Sequence, residues 1–379
     1  MAPWAVYVHV PFCVRRCLYC DFATDALAFN PTVRRDRFDV YLEAIGAEIA
    51  QSPRRPAATL FFGGGTPTTL HAAELLGLYQ AVVGRGGLLP AAEVTTEANP
   101  TTAEAGLFGD LRRGGFNRLS LGVQSFNDHL LERLGRTHSA DEARLAFDTA
   151  RRAGFDNVSI DLMFALPGQD LADWQRTLRQ AVALQPEHIS LYGLTVEPGT
   201  PLETLVAGGR MTLLDEALQA DMYELAMDHL GEHGFEHYEI SNFAKPGQRS
   251  AHNQVYWRNE EYRGFGPGAA SYVGGQRWTN VAAADEYARR VAAGDDLAAE
   301  SEHRALAEER RETMYLGLRL LDGVRDAEFA ARYGEPPGHW FGAELARLTQ
   351  RGLLVHESSA WRLTRLGTLL ANQVFIEFV

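Results

Sequence analysis

Cys13, Cys17 and Cys20 are the whole thiol complement of a chain of 379 residues. Their spacing is C-x3-C-x2-C, directly after the apolar run Trp-Ala-Val-Tyr-Val-His-Val that ends at Val10. No thiol is left for a disulfide or a free nucleophile, so all three are expected to serve one site. Thiolates are ligands for soft metals, and iron–sulfur clusters are usually held by four of them. Three would leave one iron of a 4Fe–4S cube without a protein ligand, and an open iron can bind and polarise a small molecule. A structural zinc site is the alternative, with His9 as the fourth ligand, although zinc ribbons draw ligands from two knuckles and no second cysteine pair exists here. Packing of three apolar thiols is the remaining reading.

Such a site needs a scaffold. Short β-prone runs at Trp4–His9, Ala58–Phe62, Glu93–Thr96, Arg118–Gly122, Asn157–Leu162 and His188–Tyr192 read as strands. Between them, Phe38–Ala50, Ala72–Val83, Ala103–Arg113, Ala140–Ala153 and Leu171–Leu184 carry the helical period. This alternation predicts an α/β fold with a parallel sheet of βαβ units. Six repeats in so short a length suit a partial, TIM-like (β/α)6 barrel, because a closed eight-stranded one takes about 250 residues.

The unusual residues fall at or just past the carboxyl ends of those strands, the edge where parallel α/β folds gather ligands. The cysteines follow the first strand and Gly63-Gly64-Gly65-Thr66-Pro67 the second. Glu97 follows the third, Gln124 the fourth, and Asp161 ends the fifth. The glycine run lacks the spacing of a nucleotide phosphate cradle, so its expected use is a close backbone approach to a bound ligand. Alone, Glu97 reads as a surface carboxylate and Asp161 as a helix cap. Their shared position is what singles them out.

Hydrophobic residues make up 46% of the chain and charged ones 22%, ordinary for a globular protein. The net charge of −13 argues against nucleic acid as a partner. There is no basic segment leading into an apolar one at the start, and no run approaching 18 apolar residues. Neither secretion nor a membrane span is expected, and a reducing cytoplasm suits an unpaired thiol trio.

The run from Tyr7 through Cys13, Cys17, Tyr19, Cys20, Asp21 and Phe22 resembles the radical S-adenosylmethionine (SAM) enzymes. Within them it is most similar to the branch of oxygen-independent coproporphyrinogen III oxidases (HemN) and haem chaperones (HemW). The likeness continues through Gly63–Pro67, Arg118–Phe126, Gly135–His138 and Ser159–Met163. The resemblance implies that the three thiolates hold a 4Fe–4S cluster whose fourth iron binds the amino and carboxylate groups of SAM. It further implies that Tyr7, Gly64, Gly65, Thr66, Glu97, Gln124, Arg136 and Asp161 line the SAM pocket, with Tyr19 beside the cluster. Carboxylates suit the cationic and hydroxyl groups of SAM, and Arg136 suits its carboxylate.

Oxidases of that branch extend the motif with a further cysteine and carry a sizeable segment before it. Here Asp21 and Phe22 follow Cys20, and six residues precede Tyr7. Both features resemble the haem chaperones. So does His252-Asn253-Gln254-Val255-Tyr256-Trp257, which is similar to an H-N-x-x-Y-W motif associated there with haem. A neutral histidine can ligate iron, and Tyr256 and Trp257 could face a porphyrin. The alternative is a turn in which His252 and Asn253 cap backbone groups while the aromatics pack inside. The expectation is a chaperone that binds haem and passes it to apo-haemoproteins. Coproporphyrinogen III oxidation is the rival, and a cluster-dependent homodimer is left open.

Three regions are expected: the partial barrel over residues 1–235, an extension with the histidine motif over 236–300, and a C-terminal module over 301–379. In the last, Glu309–Leu321 and Phe341–Arg351 read as helices, and residues 353–355 and 361–363 as a hairpin. That order is winged-helix-like, but the acidic chain offers no basic recognition helix. The module is expected against the open barrel edge, or as a lid over the cofactor.

Overall fold

The computed structural model describes residues 3–27 and 30–379. Six parallel strands lie side by side in chain order: β1 (Trp4–Val10), β2 (Ala57–Gly64), β3 (Leu88–Ala98), β4 (Arg118–Gln124), β5 (Val158–Phe164) and β6 (His188–Gly193). The intervening helices are α1 (Pro31–Gln51), α2 (Ala72–Gly86), α3 (Ala105–Arg113), α4 (Ala140–Arg152) and α5 (Leu171–Ala183). This is the expected partial barrel. Local chemistry marks the helix starts: Ser139 and Glu142 close a capping box on α4, and Asp170 caps α5.

Strand alternation explains what goes inside. Val6, Val8, Leu60, Phe62, Leu119, Leu121, Ile160, Leu162 and Ile189 face the helices and are fully buried. Each contributes roughly 1.5–3 kcal/mol by leaving water. The other face is largely polar: Tyr7 and His9, Thr59 and Phe61, Thr95 and Glu97, Arg118 and Ser120, Ser159 and Asp161, His188 and Ser190. A parallel sheet ordinarily buries apolar side chains on both faces. Here one face lines a lumen, where Tyr7, Phe61, Glu97, Gln124, Asp161 and Tyr256 keep partial solvent access.

The strands run further than the sequence suggests. β2 continues through Gly63 and Gly64 because the ladder to β1 persists as far as Val10↔Gly64. Glu97 and Gln124 lie inside β3 and β4, and Asp161 is mid-strand in β5, facing the lumen. Glycines and carboxylates look like turn residues until the paired backbone around them is seen.

After α6 (Glu216–Glu232), β7 (Glu236–Glu239) and β8 (Asn242–Ala244) add to the sheet beside β6. The chain then crosses to the opposite edge, where β9 (Tyr262–Phe265) pairs with β1. β10 (Ala270–Val273), β11 (Gln276–Asn280) and β12 (Ala298–His303) complete a twelve-stranded sheet ordered β12-β11-β10-β9-β1-β2-β3-β4-β5-β6-β8-β7. The crossing segment contains α7 (Ala251–Trp257), which runs across the floor of the barrel against Thr59 and Glu93.

Glu48 of α1 fastens the added edge. Its buried carboxylate takes hydrogen bonds from Arg263 (2.9 Å), the Gly266 amide (2.9 Å), Asn280 (3.0 Å) and Tyr287 (2.6 Å) of α8 (Ala284–Ala293).

The C-terminal module has α9 (Leu306–Gly317), β13 (Val324–Arg325), α10 (Asp326–Tyr333), α11 (Pro337–Gln350) and the hairpin β14 (Leu354–Glu357) and β15 (Ala360–Leu363). Its core is Met314, Leu318, Phe329, Phe341, Leu345, Leu348 and Phe378. It docks on the β7 edge, where Leu321 donates to the Tyr238 carbonyl and Ile240 to that of Arg319. It also lies across from the amino-terminal ends of β1 and β2, with a cleft of about 930 Å³ between. The lid expectation is thereby corrected: the module sits beneath the barrel, far from the cysteine loop.

Candidate cluster and ligand site

The cysteine loop leaves the carboxyl end of β1 and is stitched down along its length. Asp25 donates to the Pro11 carbonyl (2.7 Å) and Leu27 to that of Cys13 (2.8 Å). The Leu18 amide donates to Leu134 (3.1 Å), and Leu202 donates back to Leu18 (2.9 Å). His9 reaches the Ala23 carbonyl through Nε2 (2.8 Å) and Tyr7 through Nδ1 (3.1 Å). It holds the loop in place, so the zinc reading loses its fourth ligand. Among the described residues no three Cys, His, Asp or Glu groups stand at the spacing of a single metal ion. A four-iron cube takes one thiolate per iron and asks for a wider arrangement.

The three thiols are unpaired and partly exposed. Cys13 Sγ lies 3.6 Å from Thr66 Oγ1, and Arg136 Nη1 donates to Cys17 Sγ at 3.4 Å. Cys17, Thr66, Asn99 and Arg136 line one pocket. Burial pushes the Cys13 thiol up to about 11 and raises Cys20 as well. A soft metal displaces such protons on binding, and a guanidinium beside Cys17 offsets the resulting negative charge. The donor set therefore fits an iron–sulfur group. Tyr19 packs beside this loop against the cluster containing Leu130, Leu134 and Leu202, and burial raises its phenol.

The glycine run has a more local purpose than the sequence suggests. A Cβ on Gly64 would lie 2.4 Å from the His9 ring, and one on Gly65 2.6 Å from the Phe12 carbonyl oxygen. Gly64 also adopts a φ of +106°, which favours glycine. The amides of Gly65 and Thr66 are taken by Val10 (2.8 Å) and Phe12 (2.7 Å). The run closes β2 onto β1 and so delivers Thr66 to Cys13.

Below it, Tyr7, Glu97, Gln124 and Asp161 converge on the lumen from separate strands. Asp161 accepts from Ser120 Oγ at 3.1 and 3.2 Å, and from Ser190. The Gly64 amide donates to Glu97. Gln124 is held at a φ of +65°, a strained conformation for a side chain of its kind. Arg136 Nη2 donates to the Gly122 carbonyl at 2.6 Å, which fixes the guanidinium between this group and the thiols.

Burial, then neighbouring Asp161, pushes the Glu97 carboxyl from 4.5 up to about 8. The folded chain keeps a proton that the unfolded chain gives up, so this contribution to stability is full below about 4.5 and lost as pH rises through about 8. Glu97→Gln stays neutral throughout. Its denaturation midpoint is expected to fall less than that of the wild type across that window, and equal falls would refute the assignment.

His252 lies on the floor of the lumen, 1% exposed. Its Nδ1 faces Thr59 Oγ1 at 2.8 Å and its Nε2 faces the Tyr256 hydroxyl at 2.9 Å. Its ring stacks on Phe61 with centroids 5.0 Å apart. Burial, then Arg118, lowers its pKa to about 3, so the imidazole is neutral. The α7 cap is Ser250, which accepts from the Asn253 amide (3.3 Å), and Glu93 accepts from the amides of Ala251 and His252 at 2.9 and 3.0 Å. Trp257 leaves the lumen for the cleft on the far side of α7, facing Arg319 at 4.2 Å. Sequence reasoning weighed His9 only as a zinc ligand and passed over Ser120, Ser190, Arg118 and His188. The period-two polar pattern of Arg118-x-Ser120-x-Gly122-x-Gln124 and His188-x-Ser190-x-Tyr192 carried that information.

Two family models match: the Radical SAM superfamily over residues 7–181 and the HemN C-terminal domain over 305–370. The chain is 39% identical to the heme chaperone HemW of Bacillus subtilis, with 99% of each chain covered. It is 35% identical to heme chaperone HemW of Escherichia coli, covering all of this chain and 99% of that one. The chain belongs to the HemW family of radical SAM proteins. Its fold is also that of coproporphyrinogen III oxidase (HemN) from Escherichia coli, with a TM-score of 0.85 at 23% identity over 99% of this chain and 90% of that one. Membership in this radical SAM family implies a 4Fe–4S cluster and SAM. Among the described residues no helix is long and apolar enough to cross a membrane.

Proposed function

We propose that this chain is a haem chaperone that takes up haem and passes it to apo-haemoproteins. Full-length likeness to HemW relatives carries the reading. The Asp21-Phe22 continuation and the His252 motif support it. Cys13, Cys17 and Cys20 hold the cluster, and Tyr7, Gly64, Gly65, Thr66, Glu97, Gln124, Arg136 and Asp161 surround SAM, with Tyr19 alongside. When bound, the cluster offers SAM an iron that lacks a protein ligand. The chain's own residues do the rest. Arg136 balances thiolate charge, Glu97 holds a proton that an arriving cation displaces, and the glycine junction keeps Thr66 at Cys13.

His252 and Tyr256 present the haem element to the lumen, with Asn253 beside them in α7, whereas Trp257, expected to face the porphyrin, turns into the cleft beyond that helix. A neutral imidazole has the lone pair that iron needs. In the present arrangement Nε2 is occupied by the Tyr256 hydroxyl. Haem capture therefore exchanges that hydrogen bond for iron. His252→Ala is expected to weaken haem binding at least tenfold by absorbance titration, whereas Tyr256→Phe, which frees Nε2, keeps it. Equal affinity of wild type and His252→Ala removes the role assigned to that histidine. With SAM, reductant and coproporphyrinogen III under anaerobic conditions, no protoporphyrinogen is expected, and its appearance would overturn the chaperone reading in favour of the oxidase.

A further inference from the structure

Arg118 begins β4 on the lumen side and is 2% exposed. Among the described residues its guanidinium makes no hydrogen bond or contact ion pair, its Nε is fully enclosed without a partner, and its charge acts on Glu97 and Asp161 only at longer range. The facing residue on β3, in register, is Thr95, which is 0% exposed and whose hydroxyl also lacks a partner. Two unpartnered polar side chains therefore sit side by side on the barrel floor. Native structures give buried guanidinium groups hydrogen-bonding partners.

The nearby acids are engaged elsewhere. Glu93 holds the start of α7, Glu97 accepts from the Gly64 amide, and Asp161 accepts from Ser120 and Ser190. The flanking histidines are satisfied as well. His188 is bonded to Ser159 (2.8 Å) and Tyr238 (2.9 Å), and His252 to Thr59 and Tyr256. What the floor lacks is an anion that accepts from a guanidinium and a hydroxyl together, which describes a carboxylate.

The carboxylate of SAM is placed poorly for this. Gln124 ends the same strand, and six residues of strand separate the floor from that rim by roughly 20 Å. A second ligand reaching down the lumen fits better. Thr59, which holds His252, lies on β2, two strands from Arg118, or about 10 Å at ordinary strand spacing. That matches the reach from a haem iron to its propionates.

We propose that Arg118 and Thr95 form a carboxylate subsite on the barrel floor that receives a propionate of haem held by His252. This rests on the chaperone reading, and the experiment separates the two. Wild type, Arg118→Gln, Arg118→Lys and Thr95→Val are titrated with haem and with haem dimethyl ester, whose propionates are masked. SAM binding and thermal melting are measured in parallel. Wild type is expected to prefer haem over the ester at least tenfold. Arg118→Gln loses that preference, Thr95→Val loses a few-fold of it, and Arg118→Lys keeps part while confirming that the fold tolerates the site. Preference unchanged in Arg118→Gln overturns the subsite. So does a loss confined to SAM binding, which would assign Arg118 to SAM. Wild type that binds haem and its ester alike sinks the subsite alone, whereas wild type that binds neither sinks the chaperone reading with it.

Discussion

Protein carrying Cys13→Ala, Cys17→Ala and Cys20→Ala is expected to retain no acid-labile sulfide and no visible chromophore after anaerobic reconstitution. The wild type is expected to hold both. The effect should be complete, since the chain has no other cysteine to substitute. Single replacements should come close to the triple one, because a cube left with two protein ligands is poorly anchored. The loop should survive the change. Its pins are backbone hydrogen bonds from Leu18, Asp25 and Leu27 and the His9 ring, none of which involves a thiol sulfur. Melting temperature of the apo forms is thus expected to change little while the cluster is lost. A chromophore that persists in the triple variant would end the cluster assignment.

Glu48→Ala is expected to have the largest effect on stability, roughly 3–5 kcal/mol in the manner of a broken buried ion pair. Glu48 is 4% exposed and serves four donors on three separate elements. Its loss leaves Arg263 charged without its carboxylate and strands the Tyr287 hydroxyl and the Gly266 amide. Hydrogen exchange should report the damage locally, with faster exchange in β9, β11 and α8 than in β3 to β5. Replacing Glu48 and Arg263 together by leucine should cost less than Glu48→Ala alone, since no orphaned charge remains. A variant with the wild-type denaturation midpoint would show that the network contributes nothing.

Fold class was legible because its two periods are strong. Helical stripes such as Ala140–Arg152 and apolar strands such as Val158–Phe164 alternate regularly. The three cysteines were legible as one group from spacing alone, as one short loop carries them all. Convergence across strands was readable at Glu97 and Asp161 but misplaced at their boundaries, since parallel pairing lengthened β3 and β5 past the apparent turn residues. The floor was legible only as a polar stripe. Alternation puts Arg118 and His188 on one face of their strands, and the crossing of α7 shows that this face lines the lumen. Glu48 was hidden for a similar reason: on a helix surface it resembles any solvated carboxylate, and its partners lie more than two hundred residues away.

The passage of α7 between the two edges of the sheet lays it across the floor of an open arc. Its first turn is pinned to two neighbouring strands in the middle of the sheet, the Ala251 and His252 amides by Glu93 and the imidazole by Thr59. The floor is therefore in place when the chain folds, before any guest arrives. A planar guest meets a base already ordered, and little ordering entropy is left to be lost on its entry.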